Sequence, residues 1–455
     1  MIPTLTSLLH KISRALKIQT LSTLISISSK YPAIIKKTAA LILEESTPLI
    51  TDDDLQLAQL SLQLINSQIG ASPMAGLENI AQCGIKLATS PLIQGLALDE
   101  LLNFFRGIGP LHKGSLTLTN LTKKLWAIAG PTSLKAIAKC IAALVLVSQN
   151  SQIDASIKSY IKTFSKVSEQ ENSRKLAALT LGEIGKQKDL KNYRDLLTTI
   201  TNIFSSDSDE FKSYASICLG NISLGNLTYF LPVVLEQIKT MKLHHYLLLI
   251  ALREIISIDP ESLGPYLKDI LPLMTEHAYS EEETIRNLVA ENLGKLFIAH
   301  AMDVMEYFEK NLTSTNVLIR STFATSFKYS GVKTMNRTRM GYILPTFFLV
   351  LKDKNVGVKT NALISLNTIA HNLPQLLRSE IDELMPIVLK ETITRPELIK
   401  EVDLGPFKHK IDEGAPLRKS SYNVIDTLLI EIGERIDCTQ VIERLYEGLG
   451  IYFKL

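Results

Sequence analysis

RKLAALTLGEIGK, residues 174–186, sets the frame for the rest of the chain. Arg174 is followed by Ala177 and Ala178, then by Leu181 and Ile184, at offsets of three, four, seven and ten. These offsets put the side chains on one face of a helix, and alanine at the closest point lets a neighbouring helix approach tightly. The pattern recurs as Lys212 with Ala215, Leu219 and Ile222, as Arg286 with Val289, Ala290, Leu293 and Leu296, and as Lys359 with Ala362, Leu363, Leu366 and Ile369. In weaker form it fits Lys17, Gln56, Gln94, Lys135, His245, Arg320 and Arg418.

From Lys17 onward these anchors are spaced 39, 38, 41, 39, 38, 33, 41, 34, 39 and finally 59 residues apart, which makes eleven units. A period near forty with helical apolar spacing predicts a HEAT-type repeat, an all-α solenoid of about eleven helix pairs. Each anchor helix reads as the second of a pair. The first helix carries its own marker in YFLPVVLEQI, DILPLMTEHA, YILPTFFLVL and ELMPIVLKE, where Pro232, Pro272, Pro345 and Pro386 recur at spacings of 40, 73 and 41. Proline inside a helix removes a hydrogen bond and bends the axis, so one recurring phase predicts a kink used in packing. Polar clusters SSDSDE (205–210), YSEEET (279–284) and TSTN (313–316) are expected between pairs as turns and helix caps. Residues 1–455 therefore read as one continuous solenoid whose extended surface suits a large partner.

Composition agrees with stacked amphipathic helices: 46% of residues are hydrophobic and only 6% aromatic. Lys and Arg number 49 against 46 Asp and Glu, a net +3 too balanced for the single-sign field that nucleic acid or an anionic membrane selects. The basic lean of the first fifty residues reads as a solvated face. Cys83, Cys140, Cys218 and Cys438 lie far apart with no CxxC pair and are expected to be buried thiols in a reducing compartment. The N-terminal MIPTLTSLLHKISR does not read as a signal peptide, and a cytoplasmic and nuclear location is expected.

No constellation reads as catalytic. Gly182-Glu-Ile-Gly185-Lys186 and Leu293-Gly294-Lys295 lack phosphate-loop spacing and are expected to be helix ends. His244-His245 and His371 have no partners at ligand spacing, so neither a metal nor a cofactor is expected. Trp126 falls at core spacing.

The last interval, 59, carries about twenty residues beyond the period, and 389–414 contains them. Gly405-Pro406 is a turn signal, flanked by Pro396 and Pro416. With a two-residue turn there, Leu404 faces Phe407, Asp403 faces Lys408, Val402 faces His409 and Glu401 faces Lys410, so both charge pairs are of opposite sign. The segment predicts a β-hairpin with an apolar side of Val402, Leu404, Phe407 and Ile411. A lone hairpin is marginal in water, so it either folds down onto its own repeats or projects as an arm into a partner's groove.

The string EVDLGPFKHKIDEGAPLRKSSYNVIDTLL (401–429) resembles the C-terminal region of the cullin-associated, neddylation-dissociated proteins, also described as TATA-binding-protein-interacting. The resemblance continues in 174–186, in SYASICLGNISLGNLTYFLPVVL (213–235), in HYLLLIALREIIS (245–257) and in TIRNLVAENLGKL (284–296). It implies a non-enzymatic HEAT-repeat protein that wraps an unneddylated cullin. It also implies a hairpin that occupies the cullin's adaptor-binding end, so that the protein exchanges substrate receptors on cullin-RING ubiquitin ligases. The positions that carry this over are Glu401, Val402, Leu404, Gly405, Pro406, Phe407, Lys408 and His409. Members of the family are longer, with further N-terminal repeats and C-terminal helices, so adaptor competition is the better expectation than a block of neddylation. The alternative is a general HEAT scaffold or nuclear-transport adaptor, which has no need of the insertion.

Overall fold

Every anchor of the repeat frame sits at one structural position, the first turn of an inner helix or its N-cap. The computed structural model describes residues 2–452 apart from His112, Asp207, 333–336 and 405–406, and the backbone alone at Ile34, Ile35, Arg339, 402–404, 407–409 and 449–452. The chain divides into two compact units, Met1–Val234 and Leu235–Leu455.

In the first unit the inner helices are Arg14–Lys30, Leu55–Asn66, Gly95–Ile108, Leu134–Leu146, Glu171–Gly185 and Asp209–Leu224, each packed on the next. In the second they are His245–Ile258, the first half of Glu283–Leu312, Val317–Ser330, Val356–Asn372 and Ala415–Ile432. Outer helices cover one side, so each unit is a two-layer stack of the HEAT type. Pro232, Pro272, Pro345 and Pro386 all lie inside outer helices.

The small residues of the frame are where neighbouring helices touch. Ala177, Ala178, Ala215, Ala290 and Ala362 are fully buried. A Cβ on Gly185, at the end of its helix, would lie 2.8 Å from the Ile222 Cα. Gly294 is mid-helix rather than at a helix end as expected, because a Cβ there would come 2.4 Å from the Ser326 carbonyl oxygen on the next inner helix. Buried side chains also reach across one period to backbone carbonyls: the Thr322 and Ser365 hydroxyls donate to Ala278 and Ala324, each at 2.8 Å.

Two further expectations are corrected, and one short interval is explained. The polar clusters at 205–210, 279–284 and 313–316 lie within pairs, between the outer and inner helix, with Ser208 and Asn316 capping the inner ones. The short interval from Arg286 to Arg320 arises because the helix Glu283–Leu312 carries an inner and an outer helix with no loop between them, bent at His300 (φ −120°, ψ 30°). That imidazole is buried, with Nε2 2.7 Å from the Pro260 carbonyl oxygen. Of the cysteines, Cys140 and Cys218 are buried, Cys83 is half-buried and Cys438 is exposed, at the outer start of the helix Cys438–Tyr452. No described helix is long and apolar enough to cross a membrane.

Candidate functional site

The repeat's basic anchor explains how a turn between paired helices is held. In the pair joined by 313–316, the guanidinium of Arg320 donates to the carbonyls of Ser314 (2.8 Å) and Thr315 (3.2 Å). Arg286 does the same to Ser280 (2.7 Å) and Glu281 (2.9 Å). These carbonyls follow the outer helix, where its dipole is negative, so a cation there is favourable. Arg320 also makes a bidentate pair with Asp353 of the next turn, at 2.6 and 3.1 Å. Lys359, one period on, reaches Glu391 at 2.8 Å, and both are buried.

The pair that follows breaks this pattern. Turns 279–282, 313–316 and 352–355 each have four residues, but 391–414, between the helices Ile381–Lys390 and Ala415–Ile432, has 24. After one 3-10 turn, Pro396–Leu398, the backbone forms strands β1 (Ile399–Leu404) and β2 (Phe407–Asp412). They pair antiparallel in the predicted register: Leu404 opposite Phe407, Asp403 opposite Lys408, Val402 opposite His409 and Glu401 opposite Lys410. The strands continue outward to Lys400 opposite Ile411 and Ile399 opposite Asp412. The turn residues Gly405 and Pro406 lie outside the described residues, as do the side chains of Val402, Leu404, Phe407, Lys408 and His409. Glu401 and Lys410 are exposed, and Ile399 and Ile411 are 36% and 50% exposed.

What fixes the hairpin is its base. The Asp412 carboxylate accepts from Arg418 Nη2 at 2.5 Å and from the Gly414 amide at 2.9 Å. The Arg418 guanidinium, aided by that amide, holds the Asp412 carboxyl below the usual carboxylate range against a smaller opposing effect of burial. The Glu413 amide donates to the Leu398 carbonyl at 3.0 Å, closing the two ends of the insertion, and Lys400 pairs with Glu413 at 2.7 Å. Gly414 is buried, and a Cβ there would meet Leu398, Asp412 and Arg418 at 3.0 to 3.3 Å. Below the insertion Arg395 joins Lys359 on Glu391, at the edge of a cleft of about 560 Å³. The base residues Asp412 and Gly414 and the Lys359–Glu391–Arg395 network were missed by the sequence reading. The only advance signal was Arg418 itself, a repeat anchor with an acid six residues before it.

These features define an α-helical repeat protein of the HEAT type with one inserted β-hairpin near the end of the chain. Residues 376–450, which bracket the hairpin, match the family TIP120, described as "TATA-binding protein interacting (TIP20)". Along its whole length the chain is 32% identical to the cullin-associated NEDD8-dissociated protein 1 of Arabidopsis thaliana, covering 39% of that relative. It is 33% identical over 98% of its length to the Dictyostelium discoideum protein of the same name, covering 38% of it. A protein of Emericella nidulans named as the C-terminal part of cullin-associated NEDD8-dissociated protein 1 matches 88% of the chain at 27% identity, with 38% of its own length covered. The chain is thus similar along its whole length to cullin-associated NEDD8-dissociated proteins and spans about two fifths of the length of the curated relatives it matches. Among solved structures, Kap121p bound to the SUMO protease Ulp1p overlays with a TM-score of 0.44 at 14% identity, over 99% of this chain and 43% of that one. Kap95p with RanGDP gives 0.43 at 12%, over 99% and 58%.

Proposed function

We propose that this chain is a cullin-binding regulator of cullin-RING ubiquitin ligases and that the hairpin 399–412 is the element that engages the cullin. The observation that carries this reading is the 24-residue turn that follows three four-residue turns, built into a registered hairpin inside the stretch that matches the family model. The names of the relatives, cullin-associated, support the choice of partner. In this reading Val402, Leu404 and Phe407 supply apolar contacts, and Glu401, Lys408 and His409 polar ones, around the Gly405-Pro406 tip. The hairpin enters the adaptor-binding end of an unneddylated cullin and competes there with substrate-receptor adaptors, in nucleus and cytoplasm. The role needs no chemistry of the chain's own, because exchange follows from mutually exclusive binding.

A pull-down with a cullin's N-terminal region tests the assignment. The triple change Val402→Ser, Leu404→Ser, Phe407→Ser is expected to abolish capture, and unchanged capture sinks the role of the hairpin. Adaptor is expected to displace this chain from the cullin, whereas a ternary complex of all three would rule out exchange by competition. A general scaffold or transport adaptor predicts instead that deleting 396–414 leaves partner binding intact.

A further inference from the structure

The recurring prolines of the outer helices provide an internal reference for the outward face of the second unit and of the outer helix that precedes it. Relative to each proline, the residues three before and four after fall on the same side of the helix. At plus four stand Glu236, Glu276 and Lys390, all exposed, but Leu349 in the helix Arg337–Leu351, 60% exposed. At minus three stand Tyr229, Asp269 and Glu383, and in that same helix Tyr342, 62% exposed. Of the four, only Arg337–Leu351 is without charge at both positions. Exposed Pro345 and half-buried Thr346 lie between them, so Tyr342, Pro345, Thr346 and Leu349 make an uncharged stripe at i, i+3, i+4 and i+7, with Thr346 its one small polar member. The sister helices show that the fold does not require a large apolar side chain at the two outer positions. A mainly apolar face held in water is the mark of a surface that a partner covers.

The stripe runs toward charge. Beyond Leu349, Leu351 and Lys352 line the cleft of about 560 Å³ that also contains Ile387, Lys390 and Arg395. Its lining carries four cations, Lys352, Lys390, Arg395 and the buried Lys359, against two carboxylates, Glu397 and the buried Glu391. Glu391 is already taken by Lys359 and Arg395. Lys352 reaches Glu383 at 3.2 Å in a pair with both side chains about half exposed or more, so a competing carboxylate displaces it at little cost. Apolar stripe and cationic cleft together ask for an apolar helix that ends in acid.

We propose that the outward face of the helix Arg337–Leu351 docks an amphipathic helical segment of another protein. Its apolar side covers Tyr342, Pro345 and Leu349, and an acidic side chain enters the cleft at Lys352 and Lys390. This surface is separate from the hairpin and does not rest on the hairpin's role.

The test is fluorescence anisotropy on the full chain with labelled helical peptides of about 16 residues, long enough to span the stripe. Each carries leucines at one-turn spacing and a pair of glutamates at one end or the other; the controls carry glutamine or lysine pairs instead. Leu349→Glu gives this helix the kind of residue its sisters have and, being at the surface, is expected to leave thermal unfolding unchanged. It should weaken the glutamate peptide about tenfold. Lys390→Glu should weaken the same peptide by about fivefold and strengthen the lysine peptide, a charge reversal that loss of fold cannot mimic. Equal affinity for wild type and Leu349→Glu, or for glutamate and glutamine peptides, overturns the proposal. Two further outcomes do the same: a dimer by light scattering that Leu349→Glu dissociates, which assigns the face to a second copy, or sedimentation with phosphatidylserine vesicles that Leu349→Glu abolishes, which assigns it to lipid.

Discussion

The turn 313–316 and the turn 391–414 start from the same architecture and put the same basic anchor to different use. In the first, Arg320 closes four residues by holding two of their carbonyls and uses the rest of its guanidinium on Asp353. In the second, Arg418 stands at the same phase of its inner helix, but a hairpin has displaced the carbonyls and Asp412, the last residue of β2, takes their place. A repeat protein can therefore accept a large insertion at a pair turn without losing its clamp, provided the insertion brings back an acceptor. In the hairpin turn a carboxylate of the turn itself takes the place of the two neutral carbonyls, whereas in the ordinary turn the anchor's ion pair is with Asp353 of the next turn.

The largest expected effect breaks the ordinary turn. Arg320→Met leaves Asp353, whose side chain is 9% exposed, without its bidentate partner and should cost about 3 kcal/mol, read as a fall in the urea midpoint. A loss below about 1 kcal/mol would mean the clamp is incidental. Arg418→Met, at the more exposed base of the hairpin, should cost less, about 1.5 kcal/mol. It should also speed hydrogen exchange at the Gly414 and Glu413 amides while leaving the inner helices protected; exchange that rises evenly along the chain would contradict a local clamp.

Acid weakens the ion pairs of both anchors, since Asp353 and Asp412 each titrate below the ordinary value, and the hairpin base can be read through Asp412. Asp412 titrates below its ordinary value in the folded chain, so its contribution is full above the unfolded carboxylate value of about 3.9 and is lost as pH falls through the lower folded value. Carbon NMR of the Asp412 carboxyl should give a midpoint below about 3.9 that rises toward it in Arg418→Met, and a midpoint already at that value would remove the ion pair from the account. The smallest effect is expected at Lys400→Gln. Its pair with Glu413 is 62% and 46% exposed, so stability should move by no more than about 0.5 kcal/mol and the shift should vanish in high salt.

Much of this was legible in advance, for reasons that can be named. Helix spacing, period and proline phase are properties of nearest neighbours, because in a repeat stack each pair meets mainly the pairs beside it. Lys212, Arg286 and Lys359 thus revealed their helices by offset alone. The hairpin register was legible because opposite charges at 401, 403, 408 and 410 agree with only one alignment. The clamp was not: Arg418 and Asp412 are a base and an acid six residues apart, one such pair among many, until the chain brings them to 2.5 Å. The bend at His300 was hidden for the same reason, since its partner carbonyl is 40 residues away at Pro260.

By itself the sequence determined that the chain forms paired helices, how many anchors there are, where the repeat is interrupted and how the interruption pairs with itself. Each of these depends on local periodicity and on the sign of nearby charges. Only the tertiary structure decided what the anchors hold, that Gly294 is a mid-helix crossing, and that Tyr342 and Leu349 face water where sister helices place charge at one or both positions. Those are decided by which side chains converge from separate helices, and periodicity places residues on a face without saying what that face meets.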